Sequence, residues 1–261
     1  MEKDKRLAAF AKLLDIMDEL REKCPWDAKQ TFESLRNNTI EETYELADAV
    51  LKNDMNDIRK ELGDLLLHIV FYAKIGSEKN VFDITDVING ICDKLVYRHP
   101  HVFGNVDVNN DADTVVKNWE QLKLKEKDGN KTVLSGVPTA LPALIKANRI
   151  QEKASAVGFD WENRYQVWDK VLEEYNEVHA EIASTNSERL EEEFGDLFFA
   201  IVNAARLYNI EPESALERTN QKFIRRFEYL EQHTIQQGRS LKTMTLDEMN
   251  EIWEATKKIK N

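Results

Sequence analysis

The chain of 261 residues carries 48 acidic and 36 basic side chains, a formal net charge of −12 at pH 7. This balance argues against a protein that neutralises nucleic-acid phosphates or lies on an anionic membrane, although carboxylates holding a divalent cation would still attract a small phosphate compound. Two distant cysteines, Cys24 and Cys92, give neither a disulfide framework nor a Cys-rich metal cluster; no apolar run approaches the roughly 20 residues that span a bilayer, and the start Met1-Glu2-Lys3-Asp4-Lys5-Arg6 lacks an apolar signal core, so a cytoplasmic location is expected.

Leu7, Phe10, Leu14, Met17 and Leu20 recur at three and four residues, which predicts an amphipathic helix ending at Cys24-Pro25-Trp26-Asp27, where Pro25 cannot continue it. Helices are expected over 31–51 and 56–76, separated by the turn-favouring Lys52-Asn53-Asp54-Met55-Asn56. Helical patterns resume over 84–98, before Pro100, and over 111–127. The Gly- and Pro-containing stretch 129–141 reads as a linker between a first domain, 1–128, and a second, 142–261. The second begins with a helix over 142–156, with Pro142 as its first residue and Gly158 as its stop. Helices over 164–183, 187–208, 212–236 and 246–259 follow. Strand patterns are scarce, so the expected fold class is all-α, with two tandem helical domains.

The repeat is carried by carboxylates. Glu41-Glu42-Thr43-Tyr44-Glu45 followed by Glu61-Leu62-Gly63-Asp64 recurs as Glu173-Glu174-Tyr175-Asn176-Glu177 followed by Glu193-Phe194-Gly195-Asp196, every acid displaced by the same 132 positions. Residues three and four apart share a helix face, so Glu42 and Glu45 point together, as do Glu61 and Asp64, Glu174 and Glu177, and Glu193 and Asp196. In an antiparallel hairpin, residues equidistant from the turn lie side by side. Glu45 and Glu61 are centred on Asn53, as are Glu42 and Asp64; the second set is centred on Thr185.

Four carboxylates thus converge in each hairpin, and such anions repel unless protonated or bridged by a cation. The apolar runs after Asp64 and Asp196 predict partial burial of both aspartates. An all-oxygen site without His or Cys favours Mg²⁺, or Mn²⁺, over zinc, and the absence of Glu-x-x-His pairs argues against a di-iron bundle. One Glu-rich stretch alone would read as a solvated face; constant register and symmetry about two turns decide otherwise.

A carboxylate-held metal with open positions usually works on phosphates. Lys222, Arg225 and Arg226 share one side of a predicted helix and are candidate oligophosphate ligands. Trp253 is a candidate base contact, and Lys170, one turn before Glu173 and Glu174, either touches phosphate or pairs with those acids.

The Glu-Glu-x-x-Glu and Glu-x-x-Asp pattern resembles the signature of all-α nucleoside triphosphate pyrophosphohydrolases, and the chain as a whole is similar to two-domain MazG proteins. The phrases Cys24-Pro25-Trp26-Asp27-Ala28-Lys29-Gln30-Thr31, Arg98-His99-Pro100-His101-Val102-Phe103-Gly104, Gly158-Phe159-Asp160-Trp161 and Lys222-Phe223-Ile224-Arg225-Arg226-Phe227 carry the likeness further. The resemblance implies Mg²⁺-dependent hydrolysis of nucleoside triphosphates to monophosphate and pyrophosphate, broad base tolerance, and a homodimer whose hairpins pair into larger bundles. It also implies Glu174, Glu177, Glu193 and Asp196 as metal ligands of the second domain and Glu42, Glu45, Glu61 and Asp64 as those of the first. Glu173 is the candidate to orient or deprotonate the attacking water. The second domain is favoured for catalysis because Arg225 and Arg226 lie on an uninterrupted helix. The alternatives are a nucleotide-binding regulator without catalysis, a structural helical dimer, and a base-selective relative such as a dUTPase.

Overall fold

A computed structural model describes residues 2–108, 111, 114–115, 118–119, 122, 132–184 and 186–257. It divides into two compact units, Met1–Val115 and Val116–Asn261. Among the described residues there is no strand.

The first unit comprises α1 (Glu2–Lys23), α2 (Phe32–Lys52), α3 (Met55–Glu78), α4 (Ile84–Arg98) and the single turn α5 (Pro100–Phe103). Its helix ends follow local chemistry. Thr31 and Ser34 form a reciprocal capping box at the start of α2. Asn53 closes α2 in the left-handed conformation at φ 55°, and the Asp54 carboxylate accepts from the backbone of Asn56 and Asp57 to open α3. The hairpin turn therefore falls at the midpoint that the carboxylate spacing requires. Met17, Leu35, Val70, Phe71 and Ile75 form a buried core from α1, α2 and α3, flanked by Phe10, Leu14, Phe32 and Tyr72.

The second unit contains α6 (Ala143–Ala156), α7 (Gln166–Ser184), α8 (Ser187–Leu207), α9 (Pro212–Gln236) and α10 (Leu246–Thr256). α6 begins at Ala143, one residue later than expected: Pro142, at φ −52° and ψ 149°, precedes it, because its extended ψ places it outside the helix. Gly158, at φ 92°, lies just past α6 in a conformation that side chains disfavour. Asn186 caps α8, while Thr185 is outside the described residues. Pro212 starts α9 at the position where its missing N–H is harmless. Most of the segment expected to be helical over 111–127, and the last residues of that expected over 246–259, are likewise outside the described set. A short 3-10 turn, Leu134–Gly136, packs on α6 within the expected linker.

Candidate active site

The register predicts four converging acids in each hairpin, and the structure brings three of them tightly together. In the first unit, carboxylate oxygens of Glu42 and Glu45 on α2 and Glu61 on α3 lie within 4.8 Å of one another; in the second, Glu174 and Glu177 on α7 and Glu193 on α8 do the same. Asp64 and Asp196 stand outside these tight sets, yet close enough to act on them. Glu42 has its pKa raised by burial and then by repulsion from Asp64, Glu45, Glu61 and Glu41. Glu193 is raised by burial, by its hydrogen bond with Glu177, and by the charges of Glu177, Asp196 and Glu174.

Two of the acids are buried. Glu61 is 4% exposed and Glu174 5%, and the Oε2 atom of each is enclosed without a hydrogen-bond partner. A buried carboxylate oxygen left unpaired is costly, and a cation relieves that cost directly. The oxygen-only donor set, its spacing and these two orphaned atoms fit a hard divalent ion.

The copies differ around the acids. Lys170 binds Glu174 at 2.6 Å and Glu173 at 2.8 Å, and these hydrogen bonds, first that to Glu173, raise its pKa so that it stays cationic. The equivalent first-unit position is Asn38; there the exposed Lys60 lies 2.8 Å from Glu61. Glu173 itself is exposed beside the cluster.

A cavity of about 720 Å³ opens against the second set, lined by Val167, Lys170 and Glu174 from α7 and by Asp196, Phe199 and Ala200 from α8. The loop after α6 also lines it, through Gly158, Phe159, Asp160 and Trp161. Arg206 on α8 holds Asp160 with hydrogen bonds of 3.0 and 2.5 Å, and Trp161 N–H donates to the same carboxylate at 2.9 Å. Burial pushes the Asp160 pKa up, but hydrogen bonds from Arg206, Ser155 and Trp161 hold it below the ordinary value. In the first unit the positions of Ala200, Asn203 and Ala204 are taken by His68, Phe71 and Tyr72. His68 is buried and bonds the Thr39 hydroxyl at 3.0 Å, which also bonds Tyr72 at 2.7 Å, so side chains occupy the corresponding space.

Lys222, Arg225 and Arg226 lie on α9. Arg226 sits 6.0 Å from the Trp253 ring, which packs on Phe223 at 5.1 Å. Among the described residues Lys222 and Arg225 have no ion-pair partner.

The model of the MazG nucleotide pyrophosphohydrolase domain matches this chain twice, over residues 30–103 and 165–230, spanning both carboxylate hairpins. The chain belongs to the MazG nucleotide pyrophosphohydrolase family. It is 42% identical over 254 residues to an Escherichia coli K12 protein named nucleoside triphosphate pyrophosphohydrolase, covering 95% of this chain and 96% of that one. A Thermotoga maritima protein, nucleoside triphosphate pyrophosphohydrolase/pyrophosphatase MazG, is 42% identical over 251 residues, covering 95% of each chain. Bacillus subtilis YabN is 46% identical over 252 residues, or 95% of this chain and 51% of that protein.

One expectation about this MazG-family chain needs correction. Asp64 is half-buried, but Asp196 is exposed, because the Phe198 and Phe199 rings that follow it are themselves 58% and 42% exposed and do not cover it. The motif reading also assigned no role to Gln151, Phe159, Trp161, Asn203 or Arg206, although all line the cavity. The available signal was the exchange of large for small residues between copies at fixed register.

Proposed function

We propose that this chain hydrolyses nucleoside triphosphates to the nucleoside monophosphate and pyrophosphate, using Mg²⁺, or Mn²⁺ in its place, with catalysis in the second unit. The observation that carries this reading is the Glu174, Glu177 and Glu193 set, with an orphaned buried oxygen, opening onto a cavity large enough for a nucleoside.

Glu174, Glu177, Glu193 and Asp196 hold the metal side of the site, and a divalent ion bound there supplies charge neutralisation and polarisation of triphosphate oxygens. Lys222, Arg225 and Arg226 bind phosphate oxygens through charge-assisted hydrogen bonds, and the Trp253 ring braces Arg226 and borders the nucleotide. Glu173 orients the water that attacks the α-phosphorus and accepts its proton as the bond to pyrophosphate breaks. Lys170 is held between Glu173 and Glu174 and pairs with both acids before substrate arrives.

The first unit keeps its acids but places the hydrogen-bonded His68 and Tyr72 where the second has Ala200 and Ala204, which favours a non-catalytic metal-binding or structural role for Glu42, Glu45, Glu61 and Asp64. Exposed apolar residues recur at one register on α3 and α8, Leu62, Leu66 and Ile69 against Phe194, Phe198 and Ile201. Such stripes suit a homodimer that completes each hairpin into a bundle. Light scattering tests it: a monomer at micromolar concentration rules it out. The partners of this reading are nucleotides in the cytoplasm, since a net charge of −12 disfavours nucleic acid and anionic lipid; among the described residues no helix is long and apolar enough to cross a membrane.

The deciding experiment separates products by ion exchange after incubation with each common triphosphate, with Mg²⁺ and with chelator. Monophosphate and pyrophosphate in equal amounts, only with metal, is expected. Diphosphate and orthophosphate would overturn the assignment, and binding without turnover would favour a regulator. Turnover of a single base would instead indicate a selective relative of the dUTPase kind.

A further inference from the structure

Two side-chain amides face the second-unit cavity, and the partners of each fix which end is free. Gln151, 5% exposed on α6, donates from Nε2 to the backbone carbonyl of Phe199 at 2.9 Å. A carbonyl only accepts, so Oε1 is the other end, and it is enclosed at the cavity wall without a partner. Asn203 on α8 accepts at Oδ1 from the Arg206 guanidinium, at 3.1 Å from Nε and 2.8 Å from Nη2. A guanidinium only donates, so Asn203 presents its Nδ2 donor. The cavity lining thus carries an acceptor without a partner and an amide whose donor end Arg206 leaves unused, together with Phe159, which is 83% exposed.

We propose that this cavity takes the nucleobase of the substrate, with Gln151 Oε1 accepting from an N–H on the base edge, Asn203 Nδ2 donating to a neighbouring ring nitrogen or carbonyl, and Phe159 covering the base face. This rests on the second unit being the triphosphate site proposed above. The chemistry agrees with a broad base range. Every common base presents a donor beside an acceptor: amino and ring nitrogen in adenine and cytosine, ring N–H and carbonyl in guanine and uracil. One acceptor and one donor on amides able to shift slightly read that shared feature rather than the identity of the base. The first unit has Phe71 in place of Asn203, so it offers no such pair.

The test compares ATP with purine riboside triphosphate, which lacks only the amino group and so offers Gln151 no N–H. In the full chain with Mg²⁺, kcat/KM favours ATP by about ten- to a hundred-fold, the range set by leaving one buried acceptor unpaired. In Gln151→Met the preference falls to within about two-fold, the limit set by removing that single acceptor. In Asn203→Leu both substrates weaken and the preference remains. An equal rate for the two substrates in the wild type, or a preference unchanged in Gln151→Met, overturns the proposal. Should Gln151→Met not fold, Phe159→Ala removes an exposed ring: KM for ATP rising by a larger factor than kcat falls supports the base site, and an unchanged KM overturns it. If no triphosphate turns over, the hydrolase reading is lost, and the two nucleotides are compared by calorimetric Kd; equal affinities then overturn the base site as well.

Discussion

Glu174→Gln separates a metal ligand from a structural acid. In the metal-free protein the change removes repulsion between Glu174 and both Glu177 and Glu193, and with it the attraction to Lys170. At an effective dielectric of about 20, each repulsion at the 4.8 Å outer limit is worth about 3.5 kcal/mol, so about 7 together, against about 6 for the attraction across 2.6 Å. The two nearly offset. The new amide can donate to a neighbouring carboxylate, filling the hydrogen-bonding gap at Oε2. Metal-free stability should therefore change by less than about 1 kcal/mol, whereas breaking a needed buried pair costs about 3–5. The response to metal is where the variant should fail. At Mg²⁺ ten times its Kd, a site gains about 1.4 kcal/mol, or about 3–6 °C in Tm for a unit of this size. Calorimetric scans in a Glu42→Gln background, where the first unit no longer responds, should show that rise, and adding Glu174→Gln should abolish it. Turnover by Glu174→Gln should fall at least about a hundred-fold. A double variant still stabilised by Mg²⁺, or a folded Glu174→Gln enzyme within ten-fold of wild type, would refute the assignment.

The raised pKa of Glu193 sets a pH signature: stability from its easier protonation is present below the unfolded carboxylate pKa and lost as pH rises through the higher folded value. Without metal, the Tm of wild type relative to Glu193→Gln should therefore fall between pH 4 and 7, roughly the span above the free Glu value, and added Mg²⁺ should reverse the trend at the upper end. Asp160→Asn, which weakens the paired hydrogen bonds that Arg206 donates, should cost about 2 kcal/mol at pH 7 and raise KM; because the Asp160 pKa is depressed, the wild-type advantage should fade as pH drops through it, measured by urea unfolding. Asn203→Phe, which installs the first-unit residue, should raise KM for every triphosphate at least about ten-fold through loss of one buried hydrogen bond and of space, while Mg²⁺ stabilisation persists. Leu35→Ala in the first-unit core should cost about 2–5 kcal/mol and leave second-unit turnover in place where the chain stays folded.

The parts of the site legible in the sequence are those written in charge and period. A hairpin with its turn at Asn53 obliges Glu45 to meet Glu61, because helical periodicity and antiparallel pairing leave no other register, and the structure brings their oxygens within 4.8 Å. The capping role of Asp54 was readable for the same reason: it does its work within three residues of itself. Burial was less legible, as Asp196 shows, because an apolar run after an acid says only that something should cover it. Among the described residues Phe198 is left 58% exposed.

The cavity was hidden for a different reason: it is made by what is missing. Ala200 and Ala204 look like ordinary small residues of a packed helix, and only alignment with His68 and Tyr72 at the 132-residue shift reveals that one copy has volume where the other has a hydrogen-bonded plug. Gln151 and Asn203 were equally silent, since an amide has meaning only through its partner. Phe199 and Arg206 turn them into an acceptor and a donor, and neither contact follows a local period. Duplication preserved the charges in both copies while the small-to-large exchanges fell on one wall of one of them. The acids therefore mark where a metal can bind, and the residues behind them decide which copy also has room for a nucleoside.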